Sequence, residues 1–152
     1  MSQAFRRLDK ELQYFNRDDC EEDFSAGPDD ESDFFHWTAS FTGPENTPYE
    51  GGTFSLKMEF PKDYPFKGPR IFFETKVYHP NIRKKDGYVS LQLLDNDWSP
   101  DIRIIDILKR LQNLLAVPEE NRFLEEEIAK KFLDDKDAFN STAKEWTMLY
   151  AT

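Results

Sequence analysis

Cysteine is nearly absent: Cys20 is the only one in 152 residues. A lone thiol cannot close an internal disulfide, which suits a reducing cytosol or nucleus. Histidine is almost as scarce, with only His36 and His79. No apolar run in the sequence is long enough to cross a bilayer, and no signal peptide is expected. Met1-Ser2-Gln3 also lacks the glycine that myristoylation needs. Cations are in deficit: 20 Lys and Arg face 30 Asp and Glu, for a net charge of -10. Nucleic-acid binding needs clustered cations, so the balance argues against it. No metal-ligand spacing, phosphate loop or cofactor motif is present, so neither metal nor cofactor is expected. The chain is expected in the cytoplasm, the nucleus or both, away from membranes.

Aromatic residues are plentiful, with 14 Phe, 6 Tyr and 3 Trp, and the length suits one domain over residues 1–152. Residues 4–16 place Phe5, Leu8, Leu12 and Phe15 at helical spacing and predict an amphipathic helix. Residues 29–33 are acidic and turn-like, and residues 34–41 alternate as a strand does. Residues 43–52, rich in Gly and Pro, read as a long hairpin connection. Residues 53–60 put Phe54, Leu56, Met58 and Phe60 on one face of a second strand. Prolines in 61–69 break it, and 70–74 read as a short strand. Residues 77–97 keep no period, and a loop of that length in a compact domain is usually functional. Residues 102–116 carry the clearest helix, stopped by Pro118. Residues 123–133 and 134–149 read as two more helices, separated by Asp134-Asp135. Strands followed by helices make an α+β domain.

A series of motifs runs in order along this layout. Ser25-Ala26-Gly27-Pro28 and Phe35-His36-Trp37 come first, then Thr42-Gly43-Pro44 and Tyr49-Glu50-Gly51-Gly52. Phe60-Pro61-Lys62-Asp63-Tyr64-Pro65-Phe66, Tyr78-His79-Pro80-Asn81, Trp98-Ser99-Pro100 and Ala143-Lys144-Glu145-Trp146-Thr147 follow. Each is weak alone, since a tripeptide such as His-Pro-Asn is only a turn signal. Together they resemble the ubiquitin-conjugating enzyme family over nearly the whole chain, its small single-domain members most closely. The resemblance implies the family fold: an N-terminal helix, a four-stranded antiparallel meander, a long active-site loop and three C-terminal helices. It implies transfer of a ubiquitin carboxyl from a cysteine thioester to a lysine amine.

Ser90 stands where that family carries its cysteine. A thiol ionises near pH 8.5, so some thiolate exists at neutral pH. A serine hydroxyl needs an adjacent base to become a nucleophile. His79 matches a family histidine that braces the loop. Asn81 matches the family asparagine, which steadies the loop and is thought to support the oxyanion; the plainer reading is an Asn holding its own turn. Other departures surround Ser90. One extra residue separates it from Asn81, within the basic run Arg83-Lys84-Lys85-Asp86. Gln92 replaces a usual aspartate, Lys109 a frequent leucine, and Arg122 an acidic residue that orients the incoming lysine. A cation at 122 would repel that lysine. Cys20 offers no replacement nucleophile.

The resemblance also implies partner faces. Arg6, Arg7 and Lys10 match basic positions that meet the activating enzyme and ligases. Pro65, Phe66, Ser99 and Pro100 match two loops that grip RING and HECT ligases, with Phe66 as an exposed anchor or a residue tucked under its own loop. Ser25 matches a backside contact for a second ubiquitin. The implied partners are ubiquitin or a ubiquitin-like protein, the activating enzyme, a RING or HECT ligase, and an active conjugating relative. Two readings follow: a catalytically inactive variant that keeps its binding faces, or an active enzyme whose cysteine was replaced by Ser90 as an ester trap. The inserted residue and Arg122 favour the first, and the intact His79-Pro80-Asn81 favours the second.

Overall fold

Ser2 starts the first helix, its hydroxyl accepting the Phe5 N–H at 3.1 Å, as an N-cap serine does. The helix, α1, spans Gln3–Phe15. The computed structural model describes residues 2–17 and 23–152, and Cys20 lies outside them. Among the described residues, β1 (Phe24–Asp30), β2 (Asp33–Thr42), β3 (Thr53–Glu59) and β4 (Arg70–Phe73) form one antiparallel sheet in sequential order. The acidic stretch expected as a turn is mostly strand. Asp29 and Asp30 end β1 and Asp33 begins β2, leaving Glu31-Ser32 as the turn. Asp30 accepts the Ser32 N–H at 3.0 Å, so the aspartates work as local turn acceptors rather than as breakers.

Register sets which face is buried. Trp37 lies opposite Met58, Ala39 opposite Leu56, and Phe41 opposite Phe54. These six residues, with Ile71 and Phe73, make the inner face. Helix α2 (Ile104–Ala116) fills that face with Ile104, Ile107, Leu108 and Leu111, each fully buried. It begins at Ile104 rather than 102, because the Ile102 carbonyl accepts from Arg7 at 3.0 Å and Asp106 caps the Arg103 N–H at 2.9 Å.

Helix α3 (Glu126–Asp134) also starts later than its hydrophobic pattern predicts. The N–H groups of Leu124 and Glu125 are drawn out to the Pro80 carbonyl, at 2.8 and 3.3 Å. That tertiary pairing keeps residues 123–125 out of helix, behind a single 3-10 turn over Glu120–Arg122. Helix α4 (Lys136–Tyr150) is capped by Asp135 and returns to the sheet, where the Ala151 carbonyl accepts the Thr53 N–H at 3.0 Å. A Cβ on Gly52 would stand 2.7 Å from Thr147, so glycine there permits the helix to close on the hairpin connection.

A buried carboxylate locks α1 to this frame. Glu11, 8% exposed, accepts the Ile104 N–H at 2.6 Å, the Tyr64 hydroxyl at 2.5 Å and Arg7 Nε at 3.2 Å. Full satisfaction by three donors is what makes a buried carboxylate tolerable.

Candidate active site

The stretch from His79 to Leu94 is less irregular than its sequence. Bridges pair Ile82 with Val89 and Phe72 with Tyr88, so a small hairpin continues the edge of β4. Arg83 and Asp86 close its tip with two hydrogen bonds of 2.9 and 2.7 Å. The Lys84 N–H donates to Glu125 at 2.8 Å. Gly87 has φ +80°, and a Cβ there would lie 2.0 Å from the Phe73 carbonyl, so only glycine fits the return. A 3-10 turn, Gln92–Leu94, follows Ser90.

His79 is wholly buried. Its Nε2–H donates to the Leu114 carbonyl at 2.8 Å, while Nδ1 accepts the Asn81 N–H at 3.0 Å. Burial pushes its pKa down to about 4, opposed by the bond to Leu114. The ring is therefore neutral at pH 7, with both nitrogens engaged away from Ser90. Asn81 is equally buried. Its Nδ2 donates to the carbonyls of Glu119 at 2.9 Å and Arg122 at 3.0 Å, and Oδ1 accepts the Glu119 N–H at 3.0 Å. Both amide hydrogens serve the loop, and none remains for an external oxyanion. The Asn81 carbonyl in turn accepts the Ser90 N–H at 3.1 Å.

Ser90 itself is half-buried in a cleft of about 210 Å³ that also meets Arg70, Leu94, Asp95 and Arg122. Arg122 Nη1 stands 3.5 Å from Ser90 Oγ, and Nη2 stands 3.3 Å from the Asp95 carboxylate. Guanidinium is charged at every accessible pH and cannot take a proton. Glu119 carries no motif in the sequence, yet it ties this region together. Its carboxylate accepts the Gln92 N–H at 3.0 Å and pairs with Arg110 at 3.1 Å, while its backbone serves Asn81 at both ends. Its position just after Pro118, among other glutamates, gives no local signal of this role.

Residues 7–147 match the sequence profile of the family described as ubiquitin-conjugating enzyme. The chain belongs to the ubiquitin-conjugating enzyme family. It is 46% identical over 115 residues to ubiquitin conjugating enzyme E2 B of Dictyostelium discoideum, covering 76% of this chain and 77% of that protein. A crystal structure of a ubiquitin-conjugating-enzyme candidate from Plasmodium yoelii superposes with TM-score 0.90 at 38% identity, over 100% of this chain and 97% of the other. The E2 domain of a Toxoplasma gondii ubiquitin conjugating enzyme superposes with TM-score 0.88 at 36% identity, over 97% and 99% of the two chains. The fold expected from the motifs is the family fold. Membership implies ubiquitin, an activating enzyme and a ligase as partners in general terms.

The residues matched to the family's partner faces divide by exposure. Arg6 and Lys10 are exposed on α1. Arg7 is turned inward, donating to the Pro100 carbonyl at 2.6 Å as well as to Ile102 and Glu11. Phe66 is 59% exposed at its loop tip. Pro65 beside it is buried, its carbonyl accepting Trp98 Nε1–H at 2.9 Å, so Trp98 pins the two matched loops together. Ser99 donates to Asp101, and Pro100 is exposed. Ser25 lies on the outer face of the sheet with its Oγ 2.6 Å from Ser40 Oγ. Lys109 is exposed on α2. Among the described residues, no group of His, Cys, Asp and Glu is placed to hold a metal, and no helix is long and apolar enough to cross a membrane.

Proposed function

We propose that residues 1–152 act as one catalytically inactive, ubiquitin-conjugating-enzyme-like binding unit of the ubiquitin pathway, in the cytoplasm or nucleus. It engages ubiquitin or a ubiquitin-like protein, the activating enzyme or a RING or HECT ligase, alongside an active conjugating relative. The carrying observation is the surroundings of Ser90 Oγ. Ser90, which matches the family's cysteine position, has the Arg122 guanidinium at 3.5 Å as its side-chain neighbour. Without a base hydrogen-bonded to it a hydroxyl is a poor nucleophile, and the Asp95 carboxylate in the same cleft is held by Arg122 at 3.3 Å. The neutral, engaged ring of His79 does not supply one. Arg122 also repels an approaching lysine ammonium at the position from which transfer would occur. The exposed Arg6, Lys10 and Phe66 support retained binding faces.

A second reading has a specific support. The bracing of the loop by His79 and Asn81 is complete, as an enzyme with one replaced atom would keep it. On that reading Ser90 is a trap that accepts ubiquitin as a stable ester. One experiment separates the two. The chain, its Ser90→Cys variant and Ser90→Cys with Arg122→Asp are incubated with activating enzyme, ATP and ubiquitin, and then chased with free lysine. The unmodified chain forms no reductant-sensitive adduct. Ser90→Cys loads poorly or discharges slowly, and adding Arg122→Asp speeds discharge. Discharge by Ser90→Cys alone at the rate of an active relative overturns the inactive reading and leaves the trap.

A further inference from the structure

Against the hairpin that joins Ile82 to Val89 runs a groove of about 540 Å³, between the hairpin, the end of β4 and α4. Its base is apolar, with Val77 and Ile82 buried and Trp146 half-buried. Five cations line it: Lys57, Lys76, Arg83, Lys84 and Lys85, against the two carboxylates of Glu74 and Asp86. This is a basic surface on a chain whose net charge is -10. Two of the cations are already neutralised, Lys57 by Asp29 at 3.0 Å and Arg83 by Asp86 at 2.7 Å. Lys84 and Lys85 are exposed, and Lys85 lies close enough to help Arg83 hold the Asp86 carboxyl below its ordinary range. Lys76 lies 5.1 Å over the ring of Tyr150, itself 44% exposed and stacked edge-on to Trp146 at 5.7 Å. The groove therefore has exposed lysines on one wall and the half-buried ring of Trp146 on the other.

We propose that this groove docks an acidic peptide segment carrying an aromatic or branched aliphatic anchor. Carboxylates would meet Lys84 and Lys85, and the anchor would pack on Trp146. Charge complementarity carries the choice of ligand. An acidic segment is repelled by most of this molecule, but at physiological salt the screening length is about 8 Å, so the local lysines outweigh distant carboxylates. The tip is held by the Arg83–Asp86 pair and by the Lys84 N–H bond to Glu125, which adds a third carboxylate beside the two exposed lysine side chains. A single RNA strand is the less suitable ligand, since it asks for cations tracking several successive phosphates with an aromatic face for successive bases, whereas the exposed Lys84 and Lys85 share one short hairpin tip. The proposal concerns peptide recognition alone and stands apart from the thioester question.

The test is fluorescence anisotropy at physiological salt. The probe is a short fluorescein-labelled peptide of Asp and Glu with one Phe and one Leu. The controls are the same peptide with Asn and Gln in place of the acids, and a labelled oligouridylate of equal length. The acidic peptide binds, the neutral peptide binds about tenfold more weakly or worse, as removal of roughly two to four surface ion pairs should cause, and the oligouridylate binds more weakly than the acidic peptide. Lys84→Glu with Lys85→Glu lowers affinity about tenfold by the same reasoning. Lys84→Arg with Lys85→Arg retains it. Lys130→Glu with Lys131→Glu, exposed on α3, changes net charge equally and leaves affinity unchanged. Trp146→Leu weakens binding with no loss of fold by circular dichroism. Equal loss in the 84/85 and 130/131 charge reversals, equal binding of the neutral peptide, or tighter binding of the oligonucleotide overturns the proposal.

Discussion

Acidification should destabilise this protein through one buried imidazole before its carboxylates titrate. Histidine ionises near 6.5 in an unfolded chain, whereas burial holds His79 at about 4 in the fold. The unfolded chain therefore takes up the proton first. Stability is full above pH ~6.5 and declines as the pH falls toward 4. The linkage amounts to ~2 kcal/mol lost by about pH 5, and about 3 kcal/mol when fully developed. The cause is local: a protonated Nδ1 could no longer accept the Asn81 N–H, and the charge would sit in a site with no exposure to water. The depressed carboxyls of Asp29, Asp33, Asp101 and Asp106 start from an ordinary value of 3.8, so their losses fall at lower pH and do not mask this window. Urea unfolding from about pH 7.5 to pH 4.5 reads the slope, and His79→Gln is the comparison, because an amide can still donate and accept there. That variant is less stable at every pH, but its slope between about pH 6.5 and pH 5 is much shallower. With only two histidines in the chain, ring proton resonances assign the titration directly. A His79 ring titrating near 6.5 in the native protein, or an unchanged slope in His79→Gln, would refute the reasoning.

The remaining expectations follow from where each side chain's bonds go. Asn81→Ala strips partners from two carbonyls and one N–H in a buried site and should cost about 3–5 kcal/mol in urea unfolding, whereas Ser90→Ala should stay within about 0.5 kcal/mol. Arg7→Ala should lose about 2 kcal/mol, since its guanidinium ties α1 to two carbonyls before α2; Arg6→Ala and Lys10→Ala should be near neutral in stability, and any effect they have should appear in binding of the activating enzyme. Phe66→Ala should change stability by less than about 0.5 kcal/mol while weakening ligase binding by ~1–2 kcal/mol, measured by calorimetry; a fall of many degrees in melting temperature would make it a packing residue instead.

Much of the fold was legible because helix and strand periods are local properties of the chain. The alternation of Phe54, Leu56 and Met58 and the broad apolar face of α2 need no knowledge of partners to be read. Ordered motifs pointed to the family for a related reason: turns built on Gly, Pro and Asn leave short, position-specific signatures. Ser90 was visible as a departure for that reason alone. Element ends were less legible wherever a backbone group is claimed from afar. Pro80 draws Leu124 and Glu125 out of α3, and nothing within residues 123–133 announces it.

By itself, then, the sequence determined which segments are apolar on one side, that a serine follows Val89 in the matched loop, and that the chain is acidic overall. Tertiary structure decided what each polar side chain faces. It turned Arg7 inward and left Phe66 outward, although both lie in equally plausible contact motifs. It gave both amide hydrogens of Asn81 to carbonyls some forty residues away in the chain, set Arg122 beside Ser90, and gathered lysines from separate segments around one groove. Hydrogen bonds and charges act over a few ångströms of space, so their partners are fixed by packing, whereas hydrophobic periodicity is written along the chain itself.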